Sequence, residues 1–574
     1  MTSSLSAWPQ WRRAIAIAAA LTLGACATPH QAGVTDIHLV AINDFHGNLE
    51  ASNFTYTDRD KREHVIVAGG IDTLGAALQA WRKEDPQLLL VGAGDLVGGS
   101  PAISSMWADE PTIGAMNRLG LRVSSVGNHE FDGGRQELLR QQKGGCASTR
   151  PEKACKLEPT FGGAQFSYLA ANVIDMVTNK PFLPAYSIQE VHGVKIAFIG
   201  AVLKDTADMS LASGIAGLRF ADEADSINRV LPELRQQGVN VFVVLIHQGG
   251  RTVDQFDQPD CEHLTGDIVD IVKRLDPAIR LVISGHSHKG YLCKVDGRVV
   301  TQSEKEGHLL GRITLSVDNA SNAVRDISVR NVIMTPGEYP PAPELDAYLK
   351  NVRARSDAVL ARPIAHLAVV KVKRGKDLPI ESALGGLVAD GMLKAGRPFG
   401  AQIAFQNRGG VRGDLEANPD RTATIGQLQK ILPFSNTLVV MNLTGAQIRA
   451  LLEEQWVEGR GETRGLLQVS EGFSYAWDAT RPDGHKVLPE SVTLNGAPLV
   501  DDSSYRVATN NFLGEGGDYF PVFKQGSNRA NTGIRDIDML SAYLIACEQA
   551  GKPAGSEQPL GRIKRIDEPA ADTQ

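Results

Sequence analysis

The chain has 574 residues, of which 42% are hydrophobic and 22% charged, with 58 Gly, 28 Pro and a mean hydropathy of −0.15. That balance excludes a disordered polymer, a collagen-like repeat and a polytopic membrane protein, and the length holds roughly two to four domains. A formal charge of −7 and a pI near 6.0 argue against a nucleic-acid polymer as partner, since such proteins carry a basic face. An anionic small molecule stays open, because metals or local arginines reverse the sign inside a cleft.

Arg12 and Arg13 precede the apolar run Ala14–Leu23, which is too short to span a bilayer, so residues 1–25 read as a secretory signal. Leu23-Gly24-Ala25-Cys26 resembles a bacterial lipobox, which makes Cys26 the lipidated first residue of an exported, membrane-attached chain. The alternative is ordinary cleavage nearby, with Cys26 incidental. Ala27 offers no inner-membrane retention signal, so the expected location is periplasmic or cell-surface, at the outer membrane. The paired arginines also suggest twin-arginine export, but their flanks fit it poorly. Loss of residues 1–25 takes the formal charge from −7 to −9. In an oxidising compartment the expected disulfides are Cys146–Cys155, inside one insertion, and Cys261–Cys293, leaving Cys547 over. No cysteine has zinc-cluster spacing.

From Asp36 to about Thr335, apolar runs alternate with amphipathic stretches. Ile37–Ile42, Leu88–Val91, Val194–Ile199, Val241–Ile246 and Leu281–Ser284 read as strands buried on both faces in a layered α/β domain. Five polar motifs directly follow strand-like runs. They are Asn43-Asp44-Phe45-His46-Gly47, Gly94-Asp95, Gly127-Asn128-His129-Glu130-Phe131-Asp132 after Val123–Val126, His247, and Gly285-His286-Ser287-His288. Ligands of layered α/β folds bind at strand carboxyl ends, so five tips can gather in one place. Two Asp, one Asn and several His, without thiolate, suit Zn, Mn, Fe or Co better than Ca or Mg. Two ions about 3.5–4 Å apart need a bridging carboxylate, and Asp95 is the lone acid on its tip. His38, His64, His192, His263, His308, His366 and His485 read as surface or packing residues. The Gly98-Gly99-Ser100 turn reads either as a phosphate cradle or as a plain loop. Neither a Walker-type loop nor a Gly-x-Ser-x-Gly elbow is present.

Residues Thr335–Pro343 form a proline-rich break that excludes regular helix, and a charged helix runs from Glu344 to about Leu360. The expected division is a first domain over 34–335, a linker and hinge helix over 336–360, a second domain over 361–566 and a polar tail over 567–574. In the second domain Asn407-Arg408-Gly409-Gly410-Val411-Arg412 follows the apolar stretch Ile403–Phe405. Leu432-Pro433-Phe434 and the run Asn511-Phe512 to Gly517-Asp518 come later. Two loop aromatics can sandwich a planar base; an Asn and an Asp can bond ribose or a base edge; Arg412 can pair with phosphate or carboxylate. The alternative is that Phe434 and Phe512 are core residues.

Taken together, Asp44-Phe-His46, Gly94-Asp95, Gly-Asn128-His129-Glu, His247 and Gly-His286-Ser-His288 resemble the calcineurin-like metallophosphoesterase signature. The resemblance implies one divalent ion on Asp44, His46, Asp95 and His288, and a second on Asp95, Asn128, His247 and His286. It implies that His129, paired with Asp132, contacts the phosphoryl oxygens. The loops around Phe434 and Phe512, with Glu381-Ser-Ala-Leu-Gly385 and Leu387-Val-Ala-Asp390, resemble the C-terminal domain of the 5′-nucleotidase family. The implied fold is α/β: a metallophosphoesterase β-sandwich flanked by helices, then an α/β nucleotide-binding domain. The implied chemistry is phosphate release from 5′-nucleotides, with two divalent ions (Zn, Mn, Co or Fe). Asn407, Gly410, Arg412, Phe434, Phe512 and Asp518 bind the nucleotide in that reading. UDP-sugars, other nucleotide pyrophosphates and 2′,3′-cyclic nucleotides are rival substrates. A thiosulfate-hydrolysing sulfur-oxidation enzyme and a non-catalytic, lipid-anchored nucleotide-binding protein are rival classes. Two departures stand out. The chain reads Lys376-Asp-Leu-Pro-Ile380 where relatives carry an Arg, with Arg374 the nearest substitute, and Tyr519 stands where they carry Gly.

Overall fold

Long Val, Ile and Leu runs become parallel strands here because both of their faces are covered. The computed structural model describes residues 33–375, 380–457 and 463–567. The signal-like segment 1–25, Cys26, residues 376–379 and the tail beyond Asp567 lie outside the described residues. Strands Val34–Ile42, Leu89–Ala93, Leu121–Ser125 and Ser167–Leu169 run parallel, and Leu309–Asp318 and Ala323–Ile333 extend the sheet antiparallel to six strands. A second six-stranded sheet holds parallel Val194–Val202, Val241–His247, Ile279–Ser284 and Arg298–Ser303, with Tyr186–Val191 and Gly290–Val295 at its edges. The expected runs fall inside these strands or within one residue of their ends.

The sheets face each other across a dry layer that includes Leu39, Val91, Val123, Phe198, Leu245 and Ile283. Helices Ile71–Glu84, Glu110–Leu119 and Gly134–Lys143 cover the outer face of the first sheet, and Glu223–Gln236 and Asp267–Lys273 cover the second. Both sheets therefore send the carboxyl ends of their parallel strands to the same end of the sandwich.

Residues 335–342 of the proline-rich break contain no helix or strand, and its last residue opens helix Pro343–Leu360, where the missing N–H costs nothing. That helix lies on the first domain. Leu345 packs over Gly75, Tyr348 Oη donates to the Pro111 carbonyl at 2.9 Å, and Trp107 Nε1 donates to Ser356 Oγ at 2.9 Å.

The second domain is built on a five-stranded sheet ordered Gln468–Val469, Ile403–Gln406, Ser504–Asn510, Thr437–Thr444, Ser527–Arg535. Helices Ala383–Gly396 and Asp536–Gln549 pack on one face. Helix Gly445–Glu453 and a cluster around Phe405, Trp477 and Phe523 pack on the other. The Glu381–Asp390 stretch is used as a fastener. Ser382 caps helix Ala383–Gly396 through the Gly385 N–H, and Asp390 takes a two-pronged ion pair from Arg562 at 2.8 and 2.9 Å.

Cys146–Cys155 and Cys261–Cys293 are bridged, and Cys547 is the free cysteine among the described residues. None of the described helices is long and apolar enough to cross a membrane. Because the inter-sheet layer is closed on both sides, a void there has little chance to collapse. Leu245→Ala should cost about 3 kcal/mol, read as a lower urea midpoint with unchanged fold by circular dichroism.

Candidate metal centre and substrate cleft

The parallel strands deliver their polar tips to one spot. Asp44 follows strand Val34–Ile42, Asp95 follows Leu89–Ala93, Asn128 follows Leu121–Ser125, His247 ends Val241–His247, and His286 follows Ile279–Ser284. Asp44, His46 and His288 offer donor atoms that all lie within 4.8 Å of one another, as do Asp44, Asp95 and His247. Asn128 joins them: its Oδ1 lies 3.2 Å from His286 Nδ1. All seven residues expected to hold metal are thus brought together.

Closeness of this order demands an unusual backbone. Asp44, His46, Asp95, His286 and His288 are all left-handed, with φ of 48°, 47°, 50°, 73° and 55°. Non-glycine residues adopt that region at a cost, and they do so where surroundings over-determine them. Glycine is required at the crossing points. A Cβ on Gly127 would strike Asp95, and one on Gly285 would sit 2.7 Å from the Ala93 carbonyl and 2.8 Å from His247 Nδ1.

The ring nitrogens are sorted by their partners. His247 Nδ1 donates to the Ala93 carbonyl at 2.8 Å, and His46 Nδ1 donates to the Gly98 carbonyl at 2.8 Å, so both rings turn Nε2 inward. His247 Nε2 is fully buried, lies 3.0 Å from Asp95 Oδ2, and makes no hydrogen bond. His46 Nε2 and His288 Nε2 approach to 3.0 Å. Inward lone pairs opposed to two buried carboxylates fit divalent cations better than any arrangement of protons.

The electrostatics divide the rings into a neutral pair and one that the carboxylates charge. Burial, reinforced by the neighbouring imidazoles, holds His46 down at about 3 and His286 at about 4, so both stay neutral as ligands must. Burial opposes charge on His247 too, but Asp95 and Asp44 outweigh it and push the ring up to about 10. In Asp95 the desolvation cost is overcome by the histidine charges, which hold the carboxyl well below its usual range.

His129 is set slightly apart. Its backbone N–H donates to Asp95 Oδ1 at 2.9 Å and its Nδ1 pairs with Asp132 at 2.9 Å. Gly98 makes room for that pair, since a Cβ there would lie 2.6 Å from both Asp132 Oδ2 and the His129 carbonyl. Gly98 is therefore spacing for the dyad, while a Cβ on Gly99 would face Arg412 at 3.5 Å.

The second domain closes over this centre. A cavity of about 750 Å³ is lined by Asn128, His129, Asp132 and His286 on one side and by Asn407, Gly410, Arg412, Phe434, Phe512 and Asp518 on the other. Phe434 stacks nearly parallel on His129, with centroids 5.8 Å apart and planes 10° apart, and Arg412 lies 5.6 Å over the Phe434 ring. Both phenylalanines are only half-buried, so they are cleft walls and not core. Asn407 Nδ2 donates to Asp518 Oδ2 at 2.5 Å, and Asn510 Nδ2 holds Asn407 Oδ1 at 3.0 Å. Gly410 is needed because a Cβ would meet Asn407 Oδ1 at 2.6 Å. Arg374 sits against Arg408, donating to its carbonyl at 3.2 Å; burial, with the charges of Arg408 and Arg412, pulls it down to about 10.

Sequence reasoning assigns no task to several residues. Glu130 is buried and accepts from the backbone N–H groups of Asp95, Leu96 and Gly127 at 2.9, 2.8 and 2.5 Å. One carboxylate thus ties together two of the loops expected to hold metal, and burial with the Asp95 charge pushes it up to about 7. Asn43 donates to Asp44 Oδ2 at 2.7 Å and to the Glu304 carbonyl at 2.6 Å. The signal for both is their place inside the strand-tip motifs. Arg150, Glu152, Met209, Leu211, Asn436 and Arg535 also line the cavity, and nothing in their local sequence marks them. The remaining described histidines make other contacts; His308, for example, is buried between Ser52 and Glu304.

Comparison with known proteins reports on the same two regions. The calcineurin-like phosphoesterase profile matches residues 33–290, and the profile of the 5′-nucleotidase C-terminal domain matches residues 363–525. The chain is 30% identical to Endonuclease YhcR of Bacillus subtilis over 516 residues, which is 89% of this chain and 40% of that protein. It is 30% identical over 573 residues to the Cell wall protein Lmo0130 of Listeria monocytogenes, covering 94% and 71% of the two chains. The crystal structure of a 5′-nucleotidase precursor from Thermus thermophilus superposes with a TM-score of 0.71 at 28% identity, covering 93% of this chain and 100% of that one.

Loss of the clamp between the two metal loops is measurable. Glu130→Ala should weaken Mn(II) binding about tenfold to a hundredfold in equilibrium dialysis, with the fold retained.

Proposed function

Because the chain belongs to the 5′-nucleotidase family of calcineurin-like phosphoesterases, we propose that it is a metal-dependent phosphohydrolase releasing phosphate from nucleoside 5′-monophosphates. The observation that carries this reading is one cavity lined both by the metal-centre residues Asn128 and His286 and by the two loop phenylalanines. A site for ester hydrolysis and a site for a planar base share one enclosed space.

In this reading Asp44, His46, Asp95 and His288 hold one divalent cation, and Asp95, Asn128, His247 and His286 hold the other. Bound cations supply Lewis-acid charge and lower the pKa of water toward about 7. The chain's own residues do the rest. With Nδ1 engaged by Asp132, His129 keeps Nε2 to donate a proton toward the phosphoryl or leaving-group oxygen. Arg412 offers a fixed cation at the same face, and Phe434 and Phe512 grip the base so that binding far from phosphorus orients the ester. Asn407 and Asp518, bonded to each other, present oxygen and amide groups for ribose hydroxyls.

Export belongs to the same proposal, with lipid attached at Cys26. The leader-like residues 1–25, two disulfides and a relative described as a cell wall protein support it. Palmitate labelling in a bacterial host should mark the wild-type chain and miss Cys26→Ala.

Mn(II)-loaded protein should release phosphate from 5′-AMP, and chelation should remove the activity. Asp95→Asn should lower kcat by more than about a hundredfold, since even residues one bond removed from a metal ligand cost that much. Phe512→Ala should raise KM for 5′-AMP about tenfold and leave kcat within about twofold, as stacking energies predict. Product from UDP-glucose, 2′,3′-cyclic AMP or thiosulfate with none from 5′-AMP would overturn the assignment.

A further inference from the structure

Asp518 and Tyr519 are consecutive non-glycine residues in the left-handed region, with φ of 53° and 63°. Glycine takes this backbone freely, whereas a residue with a Cβ holds it only when its surroundings insist. Asp518 is held within its own domain by Asn407. Tyr519 is held partly from the other domain. Its hydroxyl donates to Asp205 Oδ2 at 3.3 Å. On its own side, the Arg464 guanidinium lies 4.8 Å over its ring and donates to its carbonyl at 3.2 Å.

A second bond crosses the domains four residues earlier. Glu515 accepts from the Ser213 backbone N–H at 2.8 Å and from the Ser213 hydroxyl at 3.1 Å. The turn 515–519 is thus clipped at both ends to the segment 205–213 of the metal-bearing domain. Met209 and Leu211 of that segment line the cavity, as do Phe512 and Asp518. Inside the clip, a Cβ on Gly517 would lie 2.5 Å from Phe512 Cζ, so the clipped turn also supports the ring.

We propose that Tyr519 is a positioning residue: with Glu515 it straps the base-binding turn to the metal-bearing domain and sets the distance from base to phosphorus. The kinetic part of this inference rests on the nucleotide reading above. The strained backbone is the mark of it, since the tyrosine's ring and hydroxyl make contacts, one of them across the gap, that a glycine could not.

The test uses the full, Mn(II)-loaded chain with Tyr519→Gly, Tyr519→Phe and Asp205→Ala. Each is measured on 5′-AMP, on glycerol phosphate (which has no ring to clamp), by thermal melting and by small-angle scattering. Tyr519→Gly should raise KM for 5′-AMP about fivefold and leave glycerol phosphate turnover within about twofold. Its Tm should hold or rise by about 2 °C as backbone strain is relieved, a direction that a merely structural tyrosine would not give. Its radius of gyration should increase as the domains loosen. Tyr519→Phe, which keeps the ring, and Asp205→Ala should each raise KM about twofold. An unchanged KM for 5′-AMP, or equal losses on both substrates, would overturn the strap. If the wild-type chain hydrolyses no 5′-nucleotide, the nucleotide reading fails. The scattering comparison then decides the strap alone, and coincident curves would overturn it.

Discussion

Everything in this molecule depends on the burial of two carboxylates, Asp44 and Asp95, which have essentially no exposed surface at the end of the sandwich. Asp95 is the tighter case. Its own N–H is held by Glu130, its Oδ1 receives the His129 N–H, and its Oδ2 faces His247 at 3.0 Å. Burying like charges this close is unfavourable unless positive charge is present. His46 and His286 are held neutral and offer lone pairs, so beside the charge that His247 carries, bound cations would provide it. The sandwich exists to bring strand tips of both sheets to that point, and its dry middle layer keeps them there.

The placement of the metal-centre residues was legible because strand tips are punctuated. A buried run of Val, Ile and Leu ends abruptly in Asp, Asn, His and Gly, and that transition is visible along the chain at Ile42, Ala93 and Ser284. Glu130 was visible too, but its work was not. A carboxylate that accepts mainly from backbone N–H groups looks like any other acid until the loops are folded around it. The far wall of the cavity was illegible for a different reason. Arg150, Met209 and Arg535 meet there because two domains pack together, and no local period or turn records that meeting. The Glu381–Asp390 stretch was conspicuous yet lies away from the cavity; its acids fasten strand Ile563–Arg565, the last among the described residues, and Arg562.

The division of labour between the domains explains why so similar a scaffold occurs in proteins with different names. In the proposed reading, chemistry at phosphorus belongs to the strand tips, which cannot move without unpicking the sheets. The same reading puts selection of the rest of the substrate on loops at 407–412, 434–437 and 511–519, which can vary while the five-stranded sheet beneath them stays intact. The stacking of Phe434 on His129 is where the two meet: the ring proposed to grip the base also buttresses the imidazole beside the candidate metal centre.

The left-handed backbone at five of the seven proposed metal ligands bears on how this centre could drift over generations. At Asp44 and Asp95, exchange for glutamate keeps the charge but lengthens the arm and worsens an already unfavourable torsion. Neutral variation is therefore steered away from the carboxylates and toward residues whose main chain is relaxed. Asn128 and His247 are those positions, and a lineage adapting to a different transition metal would be expected to record the change there first.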